Sequence, residues 1–280
     1  MEKPVWGAFT ILVLATVLIA LFVIWKSPFL RNDPAEQILV YKDNVESLKF
    51  SDTANRPGKL REDTYKLMVF LSADCGGCME KLPLYEKINQ VLCQGQNIEL
   101  MLMWEDRIPI PQVSKFGLKE KSYTLHNTKI STAYGAATLV DRDNSVLFLE
   151  SGGYRNTILA VLELPSFSME TMLRSANSYL RSKYGNNGRN LLVYFSMPGC
   201  PDCTNATPIV NSKEIRQTYD VVRIELERGA KPTDLVDDLD LFKAAYQIEW
   251  YPSFLILKDK DYAIVREIPV NQLKEVLLKN

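Results

Sequence analysis

The sequence predicts an α/β protein made of two three-layer α/β/α sandwiches in tandem, preceded by one transmembrane helix. Residues 5–25 are strongly apolar, and after them one order of elements occurs twice: strand, helix beginning with two cysteines, strand, helix, hairpin and helix. Between the two copies lies a Gly-Asn-Asn-Gly stretch at residues 185–188, a composition typical of linkers. We therefore expect an anchor at residues 1–30, a first domain at 31–184 and a second at 185–280.

The composition limits the classes of function. The 280-residue chain is 46% hydrophobic and 24% charged, as in globular proteins. A net charge of −1 without a long basic run argues against nucleic-acid binding. The single histidine, His126, makes most zinc enzymes and a Cys–His nucleophile poor candidates. Four of the five cysteines form two CxxC pairs, which indicates redox or metal chemistry rather than a disulfide-rich scaffold.

The apolar segment at residues 5–25 carries no charged side chain and has Trp6 and Trp25 near its ends. A helix of this length spans about 30 Å of hydrocarbon, and indoles favour the membrane interface. The residues that follow lack the small side chains of a signal-peptide cleavage site. We therefore expect an uncleaved single-pass anchor rather than a buried core helix. Lys3 lies on one side and Lys26, Arg31 and Lys42 on the other, so charge counting slightly favours a cytoplasmic body, although a long domain can translocate regardless of charge. We expect the body to be extracytoplasmic, where a tethered redox module would meet exported proteins.

In the first domain, apolar runs and helical spacing predict a strand, the helix of the first cysteine pair, a second strand, a hairpin and a helix. These fall at residues 66–72, 75–92, 98–104, 138–150 and 168–183. Pro83 should kink the cysteine helix, and Ser168 should cap the last one. Residues 108–132 read as a proline-rich turn followed by a polar helix or loop.

The second domain repeats this order after the linker. A strand leads into the second cysteine pair, and a strand, a helix, two strands and a helix follow. The expected ranges are 191–196, 220–226, 231–246, 253–257, 262–268 and from 270 onward.

Both cysteine pairs fall at the start of a predicted helix. Cysteines at positions i and i+3 lie on one helical face, close enough for a disulfide. The unpaired amides and the dipole at the helix N-terminus stabilise a thiolate on the first cysteine, and the second cysteine resolves the mixed disulfide. We therefore expect Cys200 to attack and Cys203 to resolve, and likewise Cys75 and Cys78.

The two pairs are also compatible with chemistry other than disulfide exchange. A zinc ribbon needs its two CxxC pairs about 15–20 residues apart. Here most of a domain lies between the two pairs. A zinc site shared by both pairs would therefore require the two domains to face each other. A single pair could bind copper with a nearby methionine such as Met79 or Met197, or have no chemistry at all. Cys93 lies in an apolar run and is expected to be a buried small hydrophobe.

Residues 190–280 resemble a thioredoxin domain throughout, through FSMPGCPDC, Pro208 and YQIEWYPSFLILKD. The resemblance implies thiol–disulfide oxidoreductase activity without an organic cofactor. It also implies that Pro252 follows a cis peptide bond beside the active site, and that Tyr251 and Pro252, next to Trp250, dock the substrate.

Two residues depart from the thioredoxin pattern. Gly199 replaces the family's tryptophan before the first cysteine, and Tyr194 replaces the buried acid of the preceding strand. The second departure removes the buried carboxylic acid that, by the resemblance, would transfer a proton at the site.

Residues 38–184 resemble the membrane-anchored thioredoxin-like reductases of the TlpA and ResA kind, through ESLKFSD, LMVFLSADCGGC, Pro83 and TLVDRDNSVLFLESGG. The position of the family's cis-proline is Ala137, where we expect a trans bond because a non-proline cis bond costs about 3 kcal/mol. The implied partners are protein thiols and disulfides and a thiol electron donor, such as a membrane reductase.

Acidic residues beside both pairs bear on the direction of electron flow. Asp202 lies inside the second pair, and Asp74 directly precedes the first. A carboxylate about 6–7 Å from a thiolate disfavours it by roughly 1 kcal/mol, which opposes a dipole effect of similar size. The sequence therefore predicts a reductase or relay rather than a strong oxidant. The alternatives are a copper- or zinc-handling module and a non-catalytic adaptor.

Overall fold

The computed structural model describes residues 45, 48–105, 107–126, 135–150, 155–185, 188–225, 235–236, 240–258 and 261–280. The chain divides into the units Met1–Ser47 and Leu48–Asn280, and both sheets with their helices belong to the second unit. The predicted anchor at residues 5–25 and the boundary after residue 30 lie outside the described residues. None of the helices within the described ranges is both long enough and apolar enough to cross a membrane.

The first sheet has the strand order β1-β4-β3-β2-β5-β6. Its strands are β1 (Phe50–Ser51), β2 (Tyr65–Leu71), β3 (Ile98–Trp104), β4 (Ser122–Leu125), β5 (Ala137–Val140) and β6 (Val146–Glu150). Strands β2, β3 and β4 are parallel, whereas β5 and β6 continue the sheet in antiparallel pairs and β1 pairs antiparallel with β4. The predicted hairpin at 138–150 is therefore confirmed.

The second sheet has the order β11-β10-β7-β8-β9. Its strands are β7 (Asn190–Ser196), β8 (Tyr219–Glu225), β9 (Leu235–Val236), β10 (Ser253–Leu257) and β11 (Tyr262–Val265). Strands β7, β8 and β9 are parallel, and β10 and β11 are antiparallel additions. The order and the directions match those of β6-β5-β2-β3-β4, so the two sheets repeat one topology. The prediction of a mixed α/β fold is confirmed.

The helices follow the strands along the chain, and the last helix comes after the final strand. They are α1 (Gly76–Glu80), α2 (Leu82–Lys87), α3 (Ile110–Lys115), α4 (Arg155–Leu162), α5 (Met169–Tyr184), α6 (Pro201–Val210), α7 (Lys213–Thr218), α8 (Leu241–Tyr246) and α9 (Val270–Lys279). A π-helical segment, Ile88–Cys93, continues α2, and a 3₁₀ turn, Lys119–Lys121, precedes β4.

Three expectations need correction. Pro83 does not kink a continuous helix: α1 ends at Glu80 and Pro83 lies in the first turn of α2, where no backbone N–H is required. The helix predicted at 231–246 begins only at Leu241, because Leu235–Val236 pairs with the end of β8 as an edge strand. The segment 108–132, predicted as a proline-rich turn and a polar helix or loop, does contain a helix, α3, but it also contains the unexpected strand β4, which pairs with β3.

Strand β7 separates two cores. Leu191, Val193 and Phe195 pack into the core that also contains the first sheet and α5, whereas Leu192 and Tyr194 pack with Cys200, Cys203 and α6. This division follows from the alternation of side chains along a strand. The first cysteine helix and the second cysteine helix therefore lie on opposite faces of the second sheet.

Helix α5 contacts both halves of the unit. Ser168 caps it, with its side-chain oxygen accepting from the Thr171 N–H at 3.2 Å, which confirms the predicted start. On one side Lys183 binds Glu86 beside the first cysteine helix at 3.0 Å. On the other side Tyr179 packs on Phe242, with ring centroids 5.9 Å apart. The helix thus covers both sheets, and the domain boundary at 184/185 stays a prediction.

Candidate functional site

The second cysteine pair lies where β7 ends and α6 begins. Cys200 is the N-cap of α6, and Pro201 occupies its first position, where proline favours helix initiation. A disulfide joins Cys200 to Cys203, with a Cα–Cα distance of 5.2 Å. Sγ of Cys200 accepts the backbone N–H of Cys203 at 3.1 Å. Sγ of Cys200 therefore accepts from an amide that has no partner within the helix, at the positive end of the helix dipole, and this environment stabilises a thiolate.

The residue before Cys200 explains one departure from the thioredoxin pattern. Gly199 has φ +76°, in the left-handed region that disfavours any side chain. A tryptophan here would be strained whatever the space around it. The turn from Met197 to Gly199 is exposed, so the chain approaches Cys200 over an open surface.

The loop before β10 lies against Cys200. The carbonyl oxygen of Tyr251 is 3.9 Å from Sγ of Cys200, and the Tyr251–Pro252 bond is cis, as the resemblance implies. Trp250 is 57% exposed at the same loop. Within the pair, Cys200 is 9% exposed and Cys203 only 2%, so a partner reaches Cys200 first. The structure thus brings four predicted site residues to one place: Cys200, Tyr251, Pro252 and Cys203.

Tyr194 contacts the helix that carries the second cysteine pair. Its hydroxyl donates to the backbone carbonyl of Cys203 at 2.7 Å. Its ring stacks on Phe254, with centroids 5.2 Å apart, and the Arg223 guanidinium lies 5.8 Å from the ring centroid on the other neighbouring strand. Burial raises the pKa of Tyr194. The phenol therefore donates a hydrogen bond near neutral pH and cannot take over the proton-accepting role of a carboxylate.

A partly buried ion pair lies beside Tyr194, and no pattern in the sequence led us to expect it. Arg223 binds Glu225 at 2.5 Å and donates from Nε to the Ser196 hydroxyl at 2.7 Å. Glu225 is buried, at the end of β8 and on the side of the sheet that faces α6. Two charged residues at alternate positions of an apolar strand are the signal that could have found this pair.

The first pair repeats the geometry of the second. Cys75 is the N-cap of α1, its Sγ accepts the Cys78 N–H at 3.2 Å, and a disulfide joins the two cysteines with a Cα–Cα distance of 5.3 Å. Cys75 is half-buried and Cys78 is buried. Asp74 pairs with Arg107 at 3.3 Å on the exposed surface, an interaction that solvent weakens.

The loop beside the first pair lacks the cis bond of the second. Among the described residues the Tyr251–Pro252 bond is the one cis peptide, so the bond before Ala137 is trans as expected. The Gly135 N–H donates to Phe70 O at 2.7 Å, and the Phe70 N–H donates to Ala136 O at 3.0 Å, which ties this loop to β2.

The remaining candidate ligands do not cluster. Across the described ranges, no three His, Cys, Asp or Glu side chains are grouped so that they could hold a metal ion. Cys93 is buried as expected, and burial raises its pKa to about 12. It therefore stays a neutral thiol at physiological pH.

The sequence matches no protein-family model, and no characterised protein is similar enough to be matched. Many solved structures with some likeness are named thiol-disulfide oxidoreductases or thioredoxin-like proteins. The thioredoxin domain of a thiol-disulfide oxidoreductase from Bacteroides vulgatus is 16% identical, with a TM-score of 0.35, over 40% of this chain and 90% of that one. The N-terminal domain of PilB from Neisseria gonorrhoeae is 16% identical, with a TM-score of 0.33, over 44% and 91%.

A third similar structure is the pneumococcal exposed lipoprotein thioredoxin Etrx1 from Streptococcus pneumoniae. It is 13% identical, with a TM-score of 0.33, over 41% of this chain and 98% of that one. Likeness at this level does not establish an activity, so the functional proposal rests on the site itself.

Proposed function

We propose that this protein is a thiol–disulfide oxidoreductase that exchanges electrons with protein disulfides, with Cys200–Cys203 as its principal redox pair. The observation that carries the proposal is Cys200 itself. It caps a helix, its sulfur accepts a backbone N–H at 3.1 Å, and it is the more exposed member of a disulfide. A helix N-terminus lowers a thiol pKa, and the thiolate is the attacking species.

The reaction with a foreign disulfide has two steps. In the reduced protein, the Cys200 thiolate attacks one sulfur of the partner disulfide, which forms a mixed disulfide and releases the first partner thiolate. The Cys203 thiolate then attacks Sγ of Cys200. This re-forms the Cys200–Cys203 disulfide, in which the two Cα atoms are 5.2 Å apart, and releases the second partner thiolate. Two electrons pass to the partner, and its two sulfurs take up the two protons given up by the cysteines. The reverse steps re-reduce the protein at the expense of a donor dithiol.

The surface at the Tyr251 loop is where we place the partner. Trp250 offers an exposed aromatic side chain, and Tyr251 and Pro252 bring the backbone of the loop next to Cys200. An extended partner segment could pair with this backbone while its disulfide meets Cys200. This proposal assigns both sheets to the thioredoxin fold, because each repeats the same strand order around a CxxC helix.

The cellular setting of the proposal comes from the sequence alone. Residues 5–25 would anchor the chain in a membrane, with the redox unit outside the cytoplasm and a thiol protein such as a membrane reductase as its electron donor. The acidic residues next to each pair favour a reductase or relay. A reduction potential for Cys200–Cys203 as high as about −120 mV, typical of a strong periplasmic oxidant, would contradict that direction.

Reduction of insulin disulfides by the full chain tests the proposal. We expect turnover to be lost in Cys200→Ser and retained in Cys75→Ser, because the second pair has the complete docking loop. Turnover unchanged in Cys200→Ser would refute the assignment. If the reduced protein, purified without oxygen, retains stoichiometric copper or zinc after dialysis, the metal-handling alternative is favoured instead.

A further inference from the structure

The two disulfides lie at opposite ends of α5 and on opposite faces of the second sheet. Resting on the proposed function, we propose that the two pairs exchange electrons with separate partner proteins, and that no direct transfer takes place between them within one chain. The positions of both pairs along α5 carry this inference.

The first pair lies beyond the C-terminal end of α5. Helix α5 has 16 residues and is about 24 Å long. Near its N-terminus, Ser168 exchanges hydrogen bonds with Gln96, at 2.7 and 3.0 Å. Near its C-terminus, Lys183 binds Glu86 at 3.0 Å. Helix α2 and the π-helical segment after it therefore run antiparallel to α5, and Leu82, at the start of α2, lies about one turn, roughly 6 Å, beyond the level of Lys183. The cysteines of α1 come directly before it in the chain.

The second pair lies towards the N-terminal end of α5. Strand β7 starts just after α5 ends, and its last residues are next to the middle of the helix. Phe195 packs on Tyr246 with centroids 6.1 Å apart, and the Tyr246 hydroxyl donates to Asn177 at 2.7 Å. Asn177 is about 9 Å from Lys183 along the axis, in the direction away from the first pair. Cys200 follows the C-terminal end of β7, and α6 folds back from there, since the Cys203 carbonyl meets the Tyr194 hydroxyl.

Together these offsets place Leu82, next to the first pair, and Asn177, level with the end of β7, about 15 Å apart along α5. The second sheet also lies between them, since the first cysteine helix belongs to the core on the Phe195 face of this sheet and the second to the core on the Tyr194 face. Cysteines joined by a disulfide have Cα atoms no more than about 7 Å apart. Bringing the pairs together would mean breaking the core that both sheets share.

This separation has a chemical consequence. Electrons pass between two cysteine pairs only when a thiolate of one attacks a sulfur of the other. Neither Cys75 nor Cys200 can attack the other pair in the same chain. Each pair must therefore be oxidised and reduced by an external dithiol or disulfide, at its own end of the molecule.

The Cys78→Ser/Cys203→Ser variant of the full chain tests the inference, because it leaves one attacking cysteine at each site. The variant at about 1 µM is oxidised with diamide, and the disulfides are mapped by mass spectrometry of unreduced peptides. Two thiols that can meet in one chain have an effective concentration of about millimolar, so an internal link would exceed intermolecular links by about a thousandfold. We expect no Cys75–Cys200 link in monomers, and intermolecular dimers whose yield rises with protein concentration.

A monomer carrying a Cys75–Cys200 disulfide would overturn the inference. The control is Cys75→Ser/Cys78→Ser, in which the Cys200–Cys203 disulfide must close within the monomer under the same conditions. The mapping depends on reach and not on turnover. Loss of insulin reduction together with the expected mapping would therefore reject the proposed function and leave the separation of the sites intact.

Discussion

The Tyr194 hydroxyl donates a 2.7 Å hydrogen bond to the backbone carbonyl of Cys203. The hydroxyl of Thr207 donates to the same carbonyl at 2.8 Å. The strand that leads into the redox pair therefore also holds the first turn of the helix that carries it. The Tyr194 hydroxyl therefore positions the cysteines and does not accept their protons, because burial raises the pKa of Tyr194 and keeps the phenol neutral.

Tyr194→Phe should cost about 1 kcal/mol of unfolding free energy, the usual net value of a buried hydrogen bond. It should also raise the pKa of Cys200 by less than about one unit, because the negative end of the Cys203 carbonyl loses one of its donors. Urea unfolding and pH-dependent alkylation of the reduced protein measure the two effects.

Tyr219→Phe is the matched control, because it removes a buried tyrosine hydrogen bond, 2.6 Å long, whose acceptor is the Leu277 carbonyl and not a cysteine. Its stability should fall by a similar amount while the pKa of Cys200 stays the same. Equal thiol pKa values in both variants would contradict the positioning role of Tyr194.

The two glycine positions beside the cysteines should respond in opposite directions to alanine. Gly199 has φ +76°, so Gly199→Ala should destabilise the protein by about 1–2 kcal/mol. Gly77 lies in helix α1 with open space around it, so Gly77→Ala should stabilise it by about 0.5–1 kcal/mol. Thermal unfolding of both variants measures the two effects. An unchanged or higher midpoint in Gly199→Ala would show that the backbone at Gly199 does not require glycine.

Stability should fall at alkaline pH. Burial raises the pKa of Cys93 from 9.0 to about 12, and burial also raises that of Tyr123 from 10.0 to about 12. The unfolded chain releases these protons first, so the stabilisation is complete below pH 9 and is lost as the pH rises towards 12. Cys93→Ala should flatten the decline from pH 9 upward by as much as about 1.4 kcal/mol per pH unit.

Tyr123→Phe provides the comparison, because its flattening should begin one unit higher, near pH 10. The slope of unfolding free energy against pH is the readout, since each substitution also alters packing. An unchanged slope in Cys93→Ala would mean that the thiol is not protected from ionisation.

The second sheet should depend on α5. A fragment of residues 185–280 lacks the helix whose Tyr179 packs on Phe242 and whose Asn177 binds Tyr246. Its apolar strand face would be open to water, so we expect weak cooperativity in unfolding and dye binding to exposed apolar surface. A fragment starting at residue 165 should unfold at a higher urea concentration. Equal midpoints would show that α5 contributes little to this sheet.

The sequence predicted the parts of the fold that depend on local pattern. The apolar runs located β2, β3, β7 and β10, and the i, i+3 spacing placed both disulfides at helix starts. Sequence periodicity is strongest in such buried strands and amphipathic helices. The match of Pro252 to a cis-proline also held.

What the sequence did not predict depends on tertiary contacts. Strands β4 and β9 have only four and two residues, and their pairing with β3 and β8 cannot be read from a local pattern. The role of α5 as a cover for both sheets could not be seen, because one apolar stripe gives no sign of a second surface. The Arg223–Glu225 pair had a local signal, and only its place beside Tyr194 and Ser196 needed the register of β7 against β8.

Covalent trapping tests the central claim most directly. Cys203→Ser leaves Cys200 able to attack but unable to be released, so incubation with a disulfide-bonded protein such as insulin should give a mixed disulfide through Cys200. Within this pair, Cys200→Ser leaves only the buried Cys203, which is 2% exposed, so at most a trace of mixed disulfide should map to Cys203. Trapping by Cys200→Ser but not by Cys203→Ser, or equal trapping by both, would contradict the assignment of Cys200 as the attacking cysteine.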